Sequence, residues 1–147
     1  MVNESGTSTK EKLVLRADFS NLSPVQLFNY FTKPDLITQW WASQAEIDAK
    51  LGGNYVISWP QMDWYLRGTY TEFVAGQALT FTWKWDHKPD LPERTVQLEF
   101  QARAEGGSTL VLMHGSYGDS DTEQEDRQSH LEGWQHFLNE LAKLQPA

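Results

Sequence analysis

The chain has 147 residues, of which 39% are hydrophobic and 22% charged, a size and composition typical of one globular domain. Twelve Lys and Arg stand against 20 Asp and Glu, and the formal net charge of −8 disfavours nucleic acid and anionic membrane surfaces as partners. The absence of cysteine excludes a disulfide framework, a thiol nucleophile and a cysteine-ligated metal site, and it suits a cytoplasmic location. No stretch approaches the ~18 apolar residues of a membrane span, so neither membrane insertion nor a targeting signal is predicted.

The predicted domain starts after a polar leader. Residues 1–11 are rich in Ser, Thr, Asn and Gly, have little apolar surface to bury, and are expected to be flexible. Residues 12–147 are expected to form a single domain, because a chain of this length supports one core.

Hydrophobic periodicity then predicts the order of the elements. Ser23-Pro24 marks the start of a short helix at 24–31, and a second short helix at 35–41 ends in the pair Trp40-Trp41. Alternation with period two predicts six or seven antiparallel strands, at 12–19, 45–48, 54–59, 64–74, 79–85, 95–103 and 108–114.

The C-terminal part of the chain returns to helical spacing. An acidic loop at 115–125 is expected to be mobile and to cover another part of the domain; its spacing lacks the EF-hand pattern, so no metal site is predicted. Apolar residues at steps of three and four predict a long helix at 125–144, about 30 Å in length. The layout is that of an α+β fold, in which a curved antiparallel sheet wraps around the long helix and leaves a space between them.

Six short motifs occur in the order typical of a known family. They are Trp40-Trp41, Gly52-Gly53, Gly68-Thr69-Tyr70-Thr71-Glu72-Phe73, Leu79-Thr80-Phe81-Thr82-Trp83, Gly107-Ser108-Thr109-Leu110-Val111-Leu112-Met113-His114 and Gly133-Trp134. On these motifs the chain resembles, from Lys12 to Leu144, the activator of heat-shock-protein-90 ATPase homologue-like family (AHSA-type) of the START-like, or SRPBCC, superfamily. The resemblance implies a helix-grip fold with a deep cavity between sheet and C-terminal helix. The chain departs from the family at Ser108, usually Thr, and at Ala78-Leu79, usually Arg-Leu.

Large aromatic side chains fall on strand and helix faces that are expected to point inward. Two interpretations stay open: these side chains fill the core, or they form the wall of a ligand pocket. The tryptophans favour a pocket, because a buried indole N–H needs a partner. The candidate apolar lining residues are Trp41, Tyr55, Trp59, Tyr70, Phe81, Trp83, Leu98, Trp134 and Phe137.

Three polar residues are candidates for the same cavity. By strand parity Glu72, Arg94 and His114 face inward, whereas strand ends that bend outward would leave them in solvent. Inside the cavity, Glu72 would form an ion pair with Arg94 or His114, because an isolated buried charge is costly. Such a pair would equally orient a ligand carbonyl or hydroxyl.

Three functions follow as hypotheses. The first is binding of a hydrophobic or aromatic small molecule, with no catalysis and no cofactor, by a monomer or homodimer. The second is implied by the resemblance: a co-chaperone in the stress response, whose partner is a heat-shock protein 90 chaperone and which stimulates its ATPase. The third is a cyclase- or hydrolase-type enzyme, with His114 and Glu72 as acid–base groups and Arg94 as charge stabiliser. The sequence contains no nucleophile motif, metal-ligand spacing or phosphate-binding loop.

Overall fold

The computed structural model describes residues 2–144, and within them eight strands form a single antiparallel sheet. The strands are β1 (Val2–Glu4), β2 (Lys12–Phe19), β3 (Gln44–Ile47), β4 (Asn54–Trp59), β5 (Trp64–Val74), β6 (Ala78–Trp85), β7 (Arg94–Ala102) and β8 (Ser108–Gly115). Their order across the sheet is β1-β2-β8-β7-β6-β5-β4-β3. The helices are α1 (Pro24–Thr32), α2 (Pro34–Ile37) and α3 (Asp121–Ala142), and a 3₁₀ turn at Pro60–Met62 joins β4 to β5.

The α+β class is confirmed, but the count of six or seven strands is wrong. The additional strand is β1, which lies within residues 1–11, where the sequence predicts a flexible leader. Strand β1 buries little side-chain surface and is held by backbone pairing with β2, in which Val2 lies opposite Ala17. Arg127 on α3 adds hydrogen bonds to the Glu4 carboxylate and the Ser8 hydroxyl. A pattern of buried side chains cannot reveal a strand that is held in this way.

The inner face of the sheet follows the predicted alternation. In β6, Leu79, Phe81 and Trp83 are buried on the face that carries α3, as their period-two spacing predicts. Their cross-strand partners on β7 are Leu98, Val96 and Arg94 in that order. Arg94 therefore enters the domain beside Trp83.

Helix α3 crosses this inner face. It begins at Asp121, four residues earlier than predicted, because Ser120 caps it by accepting a hydrogen bond from the backbone N–H of Glu123. Leu138 and Leu141 are fully buried against the core. Within residues 2–144 no helix is both long and apolar enough to span a membrane.

The two short helices close one end of the sheet. Helix α1 has the capping box of Ser23 and Gln26, and its Phe28 packs edge-on against Phe100 of β7. Helix α2 ends at Ile37, and Trp40 and Trp41 follow it in turns rather than in the predicted helix. The indole N–H of Trp40 donates to the Tyr30 carbonyl, which fixes this turn to α1.

Candidate functional site

A cavity of about 320 Å³ lies between the sheet and α3, and we call it the tryptophan cavity. Six of the seven tryptophans line it. Its lining residues are Trp41, Trp59, Met62, Trp64, Trp83, Trp85, His87, Lys88, Ser129, His130, Gly133, Trp134 and Phe137. Met62, Trp64, His87 and Ser129 are exposed, so the cavity opens to solvent between the 3₁₀ turn, the loop after β6 and α3.

The inner end of the cavity is built from three stacked or tilted indoles. The ring of Trp41 lies 5.0 Å from that of Trp134 and 5.9 Å from that of Trp83, centroid to centroid. The Trp83 and Trp134 rings are 5.6 Å apart. Three different elements thus meet here: the turn after α2, strand β6 and helix α3.

Two tryptophans of the cavity wall, Trp59 and Trp134, are held in place by hydrogen bonds from their N–H groups. Trp59 Nε1 donates to the Trp41 carbonyl at 3.0 Å, and Trp134 Nε1 donates to His114 Nδ1 at 3.0 Å. The indole N–H of Trp83 is buried without a hydrogen-bond partner in the described part of the chain. Since a bonded indole cannot rotate freely, the wall formed by Trp59 and Trp134 is preorganised.

The predicted aromatic set divides between two places. The structure puts Trp41, Trp59, Trp83, Trp134 and Phe137 around the tryptophan cavity. Another group packs together away from it, as close neighbours of one another, and leaves a space of only about 10 Å³; this group is Tyr55, Tyr70 and Phe81. Leu98 is buried in the core and does not line the cavity either. For these four residues, packing is the interpretation that fits.

Glu72 does not face the cavity, so its predicted place is wrong. The register of β5 against β6 shifts between Tyr70 and Glu72, where a bulge inserts one additional residue. Such a bulge reverses the alternation of side chains beyond it. Glu72 is consequently exposed and accepts a hydrogen bond from the Thr80 hydroxyl, while Phe73 turns inward to pack against Tyr70.

Arg94 is buried, as predicted, but its partners lie on α3 and not on β5. Its guanidinium contacts both carboxylate oxygens of Glu123 at 3.0 Å, Oδ2 of Asp126 from two nitrogens at 2.9 and 3.0 Å, and the Ser116 carbonyl at 2.6 Å. It also lies 4.4 Å from the centre of the Tyr117 ring. Burial disfavours its charge, but the hydrogen bonds to Glu123 and Asp126 outweigh this and raise the pKa of Arg94. Four hydrogen bonds and one further ion-pair contact involve all three guanidinium nitrogens, so Arg94 fastens α3 to the sheet.

His114 lies behind the cavity wall and stacks on a second histidine. It is completely buried, and its ring is 4.4 Å from that of His130 at an angle of 11°. Burial, His130 and Arg94 together hold the pKa of His114 well below its usual range. Because Trp134 Nε1 can only donate, Nδ1 of His114 is the acceptor, and the neutral ring carries its proton on Nε2.

His130 lines the cavity and joins it to the charged network. Its Nδ1 lies 2.7 Å from the Tyr117 hydroxyl, and its Nε2 lies 3.5 Å from Oδ1 of Asp126. Burial lowers the pKa of His130 to about 4, although the Asp126 carboxylate acts in the opposite direction. His130 is therefore neutral at physiological pH, and the nearby carboxylate favours the tautomer with the proton on Nε2.

The three residues considered for acid–base chemistry do not assemble. Glu72 is on the outer face, the guanidinium nitrogens of Arg94 are bound by Glu123, Asp126 and the Ser116 carbonyl, and His114 is sealed behind Trp83 and Trp134. A general base must lie within hydrogen-bond reach of the proton that it removes, directly or through one water. The geometry therefore gives no support to an enzyme that uses this set.

Several lining residues lie outside the predicted set. They are Met62, Trp64, Trp85, His87, Lys88, Ser129, His130 and Gly133. Asp126, His130 and Trp134 follow one another at steps of four along α3, a spacing that places them on one helix face. Their common position can therefore be recognised from the sequence. Met62, His87 and Lys88 lie in connecting segments, where no periodicity indicates their position.

The sequence pattern of the family described as "Activator of Hsp90 ATPase homolog 1-like protein" matches residues 21–145. The chain belongs to this family. The resemblance noted from the six motifs is thereby confirmed. Curated relatives from human and mouse, both described as "Activator of 90 kDa heat shock protein ATPase homolog 1", are 26% identical over 132 residues. The match covers 90% of this chain but 36% of each relative, so the chain spans about a third of their length.

Solved structures agree with the fold. A protein from Mesorhizobium loti superposes with a TM-score of 0.78 at 19% identity, over 90% of this chain and 94% of its own. An HSP90 activator from Plasmodium falciparum superposes with a TM-score of 0.73 at 26% identity, over 88% of this chain and 91% of its own. A protein of the dynemicin biosynthetic locus gives a TM-score of 0.75 at 16% identity, over 90% of this chain and 46% of its own. The α+β architecture of this AHSA-type chain is thus shared with these proteins.

Proposed function

We propose that this AHSA-type chain binds a small, flat, hydrophobic or aromatic molecule in the tryptophan cavity, and that binding rather than catalysis is its activity. The observation that carries the proposal is the cavity itself, about 320 Å³ of space with six indoles in its wall. Ligand pockets typically enclose about 300–1,000 Å³ and are mostly apolar with a few polar groups. The cavity matches the lower end of that range, which suits a ligand of two or three fused rings rather than a lipid chain.

The shape of the wall supports the same proposal. An apolar space that protein atoms leave unfilled loses dispersion contacts, and a flat ligand would restore them. Trp41, Trp83 and Trp134 lie close enough to one another to present a continuous aromatic surface, and the exposed Met62 and Trp64 provide an entrance. The entrance is needed because a sealed cavity would exchange ligand only when the domain opens.

Gly133 offers a direct test, because it lines the cavity on α3 and a Cβ built there meets no atom within 4 Å. Gly133→Leu should fill part of the space without displacing a neighbour, whereas Gly133→Ala should leave most of it open. We expect naphthylmethanol, a neutral probe, to raise the melting temperature of the wild type and of Gly133→Ala but not of Gly133→Leu. A ligand at 100 times its dissociation constant stabilises the folded state by about 2.7 kcal/mol, a readily measured shift. Equal binding to all three proteins by isothermal titration calorimetry would place the probe elsewhere and refute the proposal.

A second candidate function rests on the comparisons. The human relative is described as an activator of a 90 kDa heat shock protein ATPase, and the Plasmodium falciparum relative as an HSP90 activator. We infer that this chain is a candidate partner of a chaperone of that class. An ATPase assay of a purified Hsp90 with and without the chain tests this directly. No stimulation at saturating concentration, together with no complex in analytical ultracentrifugation, would exclude this function for the 147-residue chain.

A further inference from the structure

The polar side chains around the tryptophan cavity share one chemical character. Among the described residues, the lining includes no Asp, Glu, Asn or Gln, although the chain has 20 acidic residues. Its polar members are the tryptophans, Ser129, two histidines and Lys88. Indole N–H and ammonium groups can only donate hydrogen bonds. The wall therefore offers donors in excess and lacks carboxylate acceptors.

Donors near the entrance are unused. Trp64 and Trp85 line the cavity, and within residues 2–144 their indole N–H groups make no hydrogen bond, in contrast to the bonded N–H groups of Trp59 and Trp134. The Ser129 hydroxyl is likewise without a hydrogen bond in the described part of the chain and is exposed. A ligand that brings acceptor atoms to this end would pair with donors that have no partner among the described residues.

Lys88 supplies the charge. It is the one Lys or Arg among the described lining residues, and its side chain is 37% exposed. Its Nζ lies 3.5 Å from Oδ1 of Asp126, a buried carboxylate outside the cavity lining whose Oδ2 is taken by Arg94. An ammonium has three N–H groups, so this single long contact leaves donors free for a ligand. Charges beyond about 8 Å are largely screened at physiological ionic strength, so few acidic groups compete with Lys88 at the entrance. Asp126 is shared with Arg94, Asp86 is paired with Arg67, and Asp63 and Asp86 act on the neighbouring His87.

We propose that the ligand of the tryptophan cavity is an aromatic anion, an aryl carboxylate in class, whose rings lie among the indoles and whose carboxylate is bound by Lys88 at the entrance. The proposal rests on the proposed small-molecule function and specifies its ligand. An aromatic amine would also be attracted by indole faces. The N–H groups of such an amine, however, would face the Lys88 ammonium and would have no carboxylate acceptor among the lining residues. An aromatic anion is therefore the better match to the cavity.

The test compares three naphthalene probes of one shape: naphthoate, naphthylmethanol and naphthylmethylamine, at neutral pH and physiological ionic strength. Because a hydrogen bond from a charged donor is stronger than one between neutral groups, isothermal titration calorimetry should find naphthoate bound at least about tenfold more tightly than the alcohol. Lys88→Met should remove that preference and leave the affinity for the alcohol within about twofold. Lys88→Arg should retain it.

Lys50→Met is the matched control, because Lys50 also lies near an aspartate, 3.6 Å from Asp48, but is not part of the cavity lining. It should change none of the three affinities. If the probes bind equally well and Lys88→Met changes nothing, the anion inference is overturned while small-molecule binding stands. A preference for the amine overturns it in favour of cation recognition. Failure of every probe to bind overturns the proposed function and this inference together.

Discussion

Arg94 attaches the C-terminal helix to the sheet through charged groups that are largely removed from water. Its side chain is 1% exposed, and those of Asp126 and Glu123 are 4% and 19% exposed. Taking such groups out of water is costly, and the cost is offset only when every donor and acceptor is paired. All three guanidinium nitrogens of Arg94 have oxygen partners within 3.0 Å, whereas Oδ1 of Asp126 has only the longer contacts to Lys88 and His130.

Removing this guanidinium should be strongly destabilising. Arg94→Met leaves two carboxylates without their partner, and we expect the free energy of unfolding to fall by about 3–5 kcal/mol in urea denaturation. Arg67→Met is the control, because Arg67 forms its ion pair with Asp86 on the exposed surface, where such a pair is worth about 1 kcal/mol or less. Similar losses for the two variants would contradict the role assigned to Arg94.

The stacked histidines make the stability of the fold depend on pH. The pKa of His130 is lowered from 6.5 to about 4 by burial, and that of His114 is lowered well below 6.5. The unfolded chain therefore binds more protons than the folded one between about pH 4 and pH 6.5. Stability is fully present above pH 6.5 and is lost as the pH falls through that window, by about 1.4 kcal/mol per pH unit for each histidine.

Urea denaturation at pH 6.5, 5.5 and 5.0 checks this expectation, since most carboxylates titrate below that range. His130→Gln should reduce the slope of the free energy of unfolding against pH by the contribution of one histidine. A free energy of unfolding that does not change between pH 6.5 and 5.0 would show that the two buried histidines are protonated as readily in the folded chain as in the unfolded one. A slope left intact in His130→Gln would assign the effect to His114 alone.

At the scale of single residues, the sequence correctly predicted those side-chain directions that depend only on the alternation along a strand. Trp83 and Arg94 point inward because nothing interrupts the alternation of β6 and β7 before them. Glu72 points outward because a bulge intervenes, and a bulge leaves no periodic signature. The partners of Arg94 were also beyond prediction, since Glu123 and Asp126 are some 30 residues away and meet it only through the path of α3.

At the scale of elements, a glycine in β5 and a glycine in α3 differ in the space that surrounds them. Gly68 lies in β5 beneath the Tyr55 ring, whose hydroxyl donates to the Thr82 carbonyl at 2.6 Å. A Cβ at Gly68 would come within 1.9 Å of that carbonyl oxygen and 2.5 Å of the Tyr55 ring. Gly133 lies within α3, and a Cβ there meets nothing.

The same substitution should thus have opposite effects at the two sites. Gly68→Ala forces the Tyr55 side chain and the backbone of β6 apart, and we expect a loss of about 1–3 kcal/mol in the free energy of unfolding. Gly133→Ala should stabilise the helix by about 0.5–1 kcal/mol. Thermal unfolding of both variants measures the difference. Destabilisation by Gly133→Ala would mean that α3 needs the flexibility of glycine at this point.

The elements that sequence predicted well are those that bury one face. Strand β6 and the core of α3 have strong periods because each packs a continuous apolar surface against the other layer. Strand β1 and the first turn of α3 are stabilised by backbone pairing and by the Ser120 cap, which involve few apolar side chains. The sequence Ser120-Asp121-Thr122-Glu123 does resemble a helix start, and a search for capping residues would have placed α3 correctly.

For the whole molecule, the sheet order links the two ends of the chain. Strand β2 pairs with β8, and Arg127 of α3 binds the segment that carries β1. The N-terminal strands, the C-terminal strand and the last helix should therefore lose their structure together. We propose on this ground that residues 12–147, the single domain expected from chain length, unfold together with β1.

Differential scanning calorimetry tests that expectation. The protein should unfold in a single transition with equal calorimetric and van't Hoff enthalpies, of about 100 kcal/mol for 147 residues near 60 °C. Two resolved transitions, or a van't Hoff enthalpy well below the calorimetric one, would indicate that part of the chain unfolds independently.

The tryptophan cavity also gives the protein an optical property. Six of its seven tryptophans line that space, and Trp40 stacks on Trp41 with a centroid distance of 5.4 Å. Indoles this close exchange excitation energy and couple their electronic transitions, so the ultraviolet emission and the aromatic circular dichroism arise from one connected array. The spectrum of the whole chain therefore reports on a single place, and a molecule that enters between the rings changes nearly all of it without any attached label.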